Sequence, residues 1–316
     1  MAVLDNPVPW PHGARCAAAI SFDMDTDSAL HLSHADAYKR VGVLSWLRYD
    51  EVAVPRIVEV FDRYGIHGTF FVPAWCIERY PDTVQTVVES GNEVAHHGYL
   101  HESARDQDRE GELYWLQRSI RVIEQFCGKR PTGSRAPYAN YSHYSTDLLV
   151  QEGLMYDSSL MGDTKPYVLQ TAEGSVIELP IDWTMDDWPH YAHAPDFGYL
   201  MPISAPEKAM EVYLAEFEAA YEGGGLWVTI WHPFVTGRPA RLASVAKMIE
   251  YMQSKGGVWF ATMEEIALHV KQCIEDGSYQ PRTVPMPYYE GPIPELTEGF
   301  PQGLALRGPQ GWGNPE

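Results

Sequence analysis

Three aspartates stand at alternate positions after an apolar run near the amino terminus. The stretch SFDMDTDS, residues 21–28, places Asp23, Asp25 and Asp27 directly after the small apolar residues CAAAI. Carboxylates are rarely buried without a partner, because leaving water costs a charged group much solvation free energy. The segment is therefore either a solvated loop or the edge of a site that holds a cation.

Two histidines follow a second apolar run. In HHGYLH, His97 and His101 are four residues apart, so one helical turn or a tight loop brings both to one face. Two imidazoles at this spacing and a carboxylate from elsewhere make a three-ligand zinc site, in which bound water has a pKa of about 7. We expect Asp25 to be the third ligand. Asp23, two residues away on the same strand face, is then placed to act as the base.

Strand-like and helical stretches alternate along the chain. Apolar runs such as CAAAISF and IHGTFFVP are followed by amphipathic stretches such as VAVPRIVEVFDRYG. This alternation predicts parallel βα units, in a barrel or an open doubly wound sheet, with function at the C-terminal ends of the strands. The clusters DMDTD, HHGYLH, RAPY and WHP each follow a predicted strand. An isolated HxxxH or DxD is more typical of unrelated histidines or a solvated turn, so the metal-site prediction depends on this common placement.

Composition and charge narrow the class of partner and the compartment. The 316 residues carry a formal net charge of −20, which disfavours nucleic acids and anionic membranes, and no window approaches the ~20 apolar residues of a membrane span. The amino terminus lacks a signal-peptide pattern and the four cysteines form no CxxC pair, so we expect a cytoplasmic protein with free thiols. The alternative is that a signal peptide was removed before this sequence begins. A single domain of residues 1–277 and a Pro/Gly-rich extended C-terminal arm of residues 278–316 are predicted.

A series of motifs adds a resemblance to a known family. FDMD, HGTFFVP, HHGYLHE, RAPY, ELPIDW, DDWP and HPFVTGRPAR occur in the order typical of the polysaccharide deacetylase (NodB-homology, carbohydrate esterase family 4-like) family. The chain resembles in particular the subgroup of intracellular peptidoglycan-deacetylase-like proteins, cyclic imide hydrolases and allantoinase-like enzymes. The resemblance implies a distorted (β/α) barrel of fewer than eight strands, a homotetramer and a divalent metal ion. Zn²⁺ is the first expectation, although Asp-His-His ligands also suit manganese, iron or cobalt.

For the first two motifs the resemblance implies the same roles as the spacing. The metal ligands that it implies are Asp25, His97 and His101. Asp23 matches the general base, and Arg135 of RAPY matches an arginine that holds the base carboxylate. Because Met24 separates two aspartates that are often adjacent in the family, Asp27 stays a further candidate.

The later motifs receive their roles from the resemblance alone. The backbone N–H of Tyr138 matches an oxyanion donor, and His232 of WHP matches the general acid that protonates the leaving nitrogen. Either Asp186 or Asp187 of DDWP is expected to keep His232 charged, since a nearby carboxylate favours imidazolium. Trp188 is expected to support the site.

These observations predict a hydrolase of non-peptide C–N bonds. Ring opening of a small cyclic imide or amide is the expected reaction, because export signals are absent and the aromatic residues Trp183, Trp188, Trp231 and Phe234 lie near the motifs. The alternative is removal of an N-acetyl group from a glycan of the peptidoglycan or chitin type. A third interpretation is a non-catalytic binding protein that has kept the fold, which a chelator-sensitive hydrolysis assay would exclude.

Overall fold

Short buried strands alternate with helices along the chain, as the sequence pattern predicts. The computed structural model describes residues 6–291. Its strands are β1 (Cys16–Ala19), β2 (Ser21–Asp23), β3 (Thr69–Val72), β4 (Glu93–His96), β5 (Gly133–Ser134), β6 (Tyr156–Asp157), β7 (Tyr167–Gln170), β8 (Ser175–Glu178), β9 (Leu226–Val228), β10 (Val258–Phe260) and β11 (Thr283–Pro285). Its α-helices are α1 (Ser28–Ser33), α2 (Val41–Leu47), α3 (Asp50–Tyr64), α4 (Ala74–Arg79), α5 (Pro81–Glu89), α6 (Arg109–Cys127), α7 (Ser145–Gln151), α8 (Trp188–Tyr191), α9 (Pro206–Gly223), α10 (Pro233–Thr236), α11 (Pro239–Lys255) and α12 (Met263–Glu275).

The strands form a distorted parallel barrel. The strands β2, β3, β4, β5, β6 and β8 follow one another in the sheet, and each pairs in parallel with the next. On the other side of the first strands, β1 pairs in parallel with β9. Between β8 and β9 the ring closes through an isolated bridge that joins Asp186 to Ile230. β10 pairs with β1, while β7 and β11 extend the sheet beyond β8. Within residues 6–291 the ring has fewer strands than an eight-stranded barrel, which confirms the predicted fold class.

Along each strand, successive side chains point alternately into the barrel interior and into the layer beneath the helices. Ala17, Ala19, Phe71 and Ala95 belong to one buried cluster inside the ring. Because successive side chains point to opposite faces, the same alternation carries Asp23 to the inner face at the end of β2. The first core strand therefore delivers a carboxylate to the C-terminal mouth of the barrel.

The outer face of the first strands is covered by an amphipathic helix. Val54, Ile57 and Phe61 on α3 are buried in the same cluster as Phe22 of β2 and Phe70 of β3. Burying each such side chain contributes about 1.5–3 kcal/mol, so this face fixes the strands that carry the polar motifs.

Residues 278–291 continue past the last helix as irregular chain and the strand β11, which runs parallel to β7. Residues 292–316, most of the predicted arm, lie outside the described residues, so the arm and the domain boundary at residue 277 stay predictions. Among residues 6–291, no helix combines the length and apolar character needed to cross a bilayer.

Candidate active site

A cavity of about 580 Å³ lies at the C-terminal ends of the strands. Most residues that the sequence singles out line this one cavity: Asp23, Asp25, His97, His101, Arg135, Tyr138, Asp186, Trp188 and His232. Asp187 stands behind His232 and is fully buried. Residues that are distant in sequence therefore meet in a single concave site, which is the usual form of a small-molecule or active site.

Asp25, His97 and His101 form a buried group with facing ligand atoms. Nε2 of His97 lies 3.3 Å from Oδ1 of Asp25, and Nε2 of His101 lies 3.2 Å from Oδ2 of the same carboxylate. Oδ1 of Asp25 and Nε2 of His97 have no hydrogen-bond partner among the described residues. Burial alone would raise the pKa of Asp25, but the facing imidazoles of His101 and His97 hold it well below its usual value. An ionised carboxylate and two imidazoles with unpartnered atoms fit a divalent cation.

The loop after β2 positions Asp25. β2 ends at Asp23, so Asp25 lies in this loop and not on the same strand face, which differs from the expectation drawn from the spacing. Thr26 has a φ of 48°, and its N–H and hydroxyl donate to Oδ2 of the buried Asp50 at 3.1 and 3.0 Å. These contacts turn the chain sharply, and both Asp23 and Asp25 still line the cavity.

Asp27, the further candidate, contacts a different set of groups. Its carboxylate accepts a hydrogen bond from the Tyr80 hydroxyl at 2.6 Å and lies 3.3 Å from Nε2 of His31. It is not part of the group formed by Asp25 and the two histidines. The structure therefore gives Asp27 a role in holding α1 and the loop before it.

The HHGYLHE segment fixes both histidines through its own turn. Nδ1 of His97 donates to the backbone carbonyl of Arg135 at 2.7 Å, which leaves Nε2 directed at Asp25. The backbone N–H groups of Tyr99 and Leu100 donate to the Glu102 carboxylate at 2.8 and 2.6 Å. The last residue of the motif thus closes the turn that presents His101.

His96, the neighbour of His97, points to the opposite side of β4. Its Nδ1 pairs with the Ser134 hydroxyl at 2.9 Å, and it lines a separate small cavity beneath the helices. Burial lowers its pKa to about 3. His96 therefore packs within the fold and is not part of the group formed by Asp25, His97 and His101.

Arg135 is buried and bonds Asp23 directly. Its Nη1 donates to Oδ1 of Asp23 at 2.7 Å and to the Ser21 hydroxyl at 3.0 Å. Nε and Nη2 donate to the carbonyl and hydroxyl of Ser158 at 3.0 and 3.1 Å. A guanidinium held by four hydrogen bonds offsets the cost of burying the Asp23 carboxylate and fixes its orientation. Ser21 and Ser158 were missed in the sequence, because a serine carries no distinctive signal.

His232 is held by Asp187. Its Nδ1 donates to Oδ1 of Asp187 at 2.7 Å, whereas the nearest oxygen of Asp186 is 3.9 Å away. The Thr236 hydroxyl, which the sequence did not single out, donates to Oδ2 of Asp187 at 2.6 Å. Nε2 of His232 lies 3.6 Å from Oδ2 of Asp25, so it faces the group formed by Asp25, His97 and His101. Burial would lower the pKa of His232, but the carboxylates, led by Asp187, raise it well above its ordinary value.

Aromatic side chains make up part of the cavity wall. Trp183, Trp188 and Phe234 line it, and Tyr138 packs edge-on against His101 with ring centroids 4.3 Å apart. Trp231 is instead fully buried in the core, where its ring lies against Phe22. Tyr138 has a φ of 58°, a left-handed conformation uncommon for a residue with a side chain, as found at functional loops.

Comparisons with known proteins agree with the geometry. A family model described as polysaccharide deacetylase matches residues 39–156. A structure from Mycobacterium smegmatis assigned to the polysaccharide deacetylases is 38% identical with a TM-score of 0.84, covering 90% of this chain and 98% of that one. A peptidoglycan deacetylase from Helicobacter pylori is 29% identical over 243 residues, which span 69% of this chain and 83% of the relative.

An allantoinase structure, at 23% identity and a TM-score of 0.72, shares the fold over 84% of this chain and 94% of its own. At that identity the likeness concerns the fold alone. The site geometry and the closer relatives together identify the family. The chain belongs to the polysaccharide deacetylase family and is a hydrolase of carbon–nitrogen bonds other than peptide bonds.

Proposed function

We propose that this protein removes the acetyl group from an N-acetylated amino sugar, with a divalent metal ion held by Asp25, His97 and His101. The observation that carries the proposal is the convergence of this ligand group with a buried Asp23–Arg135 pair and a buried His232–Asp187 pair on one cavity. The name of the Helicobacter pylori relative favours the N-acetyl glycan over the cyclic imide that the sequence placed first.

The residues divide the reaction between a base side and an acid side. A bound metal ion would polarise the amide carbonyl and make a water molecule more acidic at neutral pH. Asp23, held by Arg135, accepts the proton of the attacking water. The backbone N–H of Tyr138 donates to the substrate oxygen as negative charge develops there, and such a donor contributes about 2.7–4 kcal/mol in comparable sites.

His232 acts on the leaving nitrogen. Its raised pKa keeps the imidazole protonated at neutral pH, and its Nδ1 is occupied by Asp187, so Nε2 is the atom that faces the cavity. Transfer of that proton lets the nitrogen depart as a neutral amine when the C–N bond breaks. Asp187 stays hydrogen-bonded and restores the orientation of the imidazole.

A cyclic imide or amide is the second candidate substrate. The apolar and aromatic walls supplied by Trp183, Trp188 and Phe234 favour a compact ring, and the same base and acid would open it. The two candidates differ in the product, since an acetylated sugar is split into acetate and an amine, whereas an opened imide keeps its new carboxylate and amide in one molecule.

A substrate panel separates the candidates. N-acetylglucosamine and its short oligomers are incubated with the Zn²⁺-loaded protein beside succinimide-like compounds, each with and without a chelator. Acetate release that the chelator abolishes supports the proposal, whereas ring opening without acetate release supports the second candidate. Hydrolysis of neither class by the loaded protein would contradict both.

Zinc as the native metal, a homotetramer and a cytoplasmic location are further proposals. Reconstitution with zinc, manganese, iron or cobalt ranks the metals by restored activity. Light scattering on the purified protein tests the tetramer.

A further inference from the structure

One side of the cavity is closed by contacts between two segments that are far apart in sequence. Asp196, between α8 and α9, lines the cavity, and its carboxylate pairs with Arg40, just before α2. The backbone carbonyl of Asp196 accepts a hydrogen bond from Nε2 of His34 at 2.8 Å, and His34 also lines the cavity. We call these three residues, His34, Arg40 and Asp196, the rim bridge.

The rim bridge is attached to the wall of the candidate active site. Asp196 lies in a short turn with Phe197, whose ring packs against Trp188 at a centroid distance of 6.0 Å. Tyr199, which pairs with Ala194 across this turn, packs on the same indole at 5.9 Å. Trp188 in turn lies 5.7 Å from the His232 ring. The closed side of the cavity is therefore held in a fixed position relative to the proposed acid.

Closure on this side restricts how a sugar chain can enter. Acting within a long glycan requires a groove that is open at both ends, so that sugar units on each side of the reacting one can leave the site. Because the Arg40 side chain pairs with the Asp196 carboxylate and His34 contacts the Asp196 carbonyl, the cavity does not continue between their two segments, and the side-chain pair is the part of this closure that substitution can remove. Its volume of about 580 Å³ falls within the range that buries most of a drug-sized molecule.

We propose that the rim bridge limits the substrate to a short N-acetylated sugar of about one or two units and excludes internal positions of a polymer. This inference rests on the proposed function and adds its substrate size. It makes Arg40 and Asp196 specificity-determining residues with no part in the chemistry. Their ion pair is partly exposed, with side-chain exposures of 30% and 28%, so its removal is expected to cost little stability.

The test compares kcat/KM for mono- and disaccharides of N-acetylglucosamine with kcat/KM for the hexamer. The Zn²⁺-loaded wild type is measured beside Arg40→Ala and Asp196→Ala, with Arg40→Lys as the conservative variant. Arg63→Ala is the matched control, because it removes an exposed ion pair with Glu59 on α3, away from the cavity. We expect the wild type to favour the short sugars by about tenfold or more, and both alanine variants to lose most of that preference. Arg40→Lys and Arg63→Ala are expected to keep it.

Equal kcat/KM for the hexamer and the disaccharide in the wild type, or an unchanged preference in both alanine variants, would overturn the inference. Failure of the proposed function gives a different result, namely no acetate from any sugar while a cyclic imide is opened. The same variants are then compared on succinimide and on imides with bulky substituents, and an unchanged preference overturns the rim bridge there too. Calorimetric binding of both size series to the loaded wild type and variants gives the size limit without turnover.

Discussion

Asp187 holds His232 at two points: its Oδ2 accepts the backbone N–H at 2.9 Å, and its Oδ1 accepts Nδ1–H at 2.7 Å. The adjacent Asp186 has a different hydrogen-bond partner, since its Oδ1 accepts the backbone N–H of Trp188 at 2.8 Å. Burial raises the pKa of Asp186 to about 7, so this carboxyl carries less negative charge towards the imidazole. Of the two aspartates that the sequence left open, Asp187 is the one that contacts His232.

Asp187→Asn should move the alkaline limb of the pH–rate profile to lower pH. The Asp187 carboxylate raises the pKa of His232, so its loss lowers that pKa and deprotonates the acid at a lower pH. We expect a smaller shift for Asp186→Asn, and a loss of about 10²–10⁴-fold in kcat for His232→Ala. Profiles of kcat against pH for the three variants check this order. A larger shift for Asp186→Asn than for Asp187→Asn would show that Asp186, and not Asp187, keeps His232 charged.

Arg135→Met should destabilise the protein strongly. The substitution leaves the buried Asp23 carboxylate without the guanidinium of Arg135. Breaking such a buried ion pair costs about 3–5 kcal/mol in free energy of unfolding. Arg130→Met is the control, because this partly exposed pair with Glu152 should contribute about 0–1 kcal/mol. Urea unfolding at neutral pH measures both.

Adding Asp23→Asn to Arg135→Met should restore part of that loss, because the uncompensated charge is then removed. If the single variants of Arg135 and Arg130 lost the same stability, the buried pair would not have the energetic role that its geometry implies.

A second pair of buried acids should make stability depend on pH. Asp157 on β6 and Glu178 on β8 are paired in register, and the Ser159 N–H donates to both carboxyls at 2.9 and 3.0 Å. Burial raises the pKa of Asp157 to about 6 and, together with Asp157, raises that of Glu178 well above its usual value. The folded state therefore binds more protons than the unfolded state, so the free energy of unfolding falls as pH rises from about 4 through 6.

Glu178→Gln should weaken this pH dependence, because glutamine keeps the acceptor oxygen and cannot ionise. Urea unfolding from pH 4 to 7.5 measures the slope, with Asp62→Asn on the exposed side of α3 as the control. We expect a smaller slope for Glu178→Gln and the wild-type slope for the control. Equal slopes in all three proteins would mean that the pair is not protonated as described.

The sequence predicts the strands and the polar clusters at their ends, because an apolar run and the polar residues that follow it are local features of the chain. It leaves open whether the sheet closes, since closure depends on β9 pairing with β1 and on the bridge between Asp186 and Ile230, which are long-range contacts. The family resemblance supplied the barrel, which the structure confirms.

In the site, the convergence of Asp25, His97 and His101 was predictable because these residues follow strand ends at informative spacings. The hydroxyl groups that orient the charged residues, on Ser158 and Thr236, were not, because serine and threonine are common and these bonds join distant segments. The position of Asp25 in a loop could not be predicted from the alternation of side chains along a strand, because β2 ends two residues earlier, at Asp23.

The most direct test of the account measures bound metal and acetate release on the same samples. Wild type, His97→Ala, His101→Ala and the control His12→Ala, whose side chain lies outside the cavity, are dialysed against Zn²⁺ and assayed for metal per chain by mass spectrometry. We expect about one ion per chain and chelator-sensitive acetate release in the wild type and the control, and loss of both in the two ligand variants. Acetate release at the wild-type rate by metal-free His101→Ala protein would contradict the central claim.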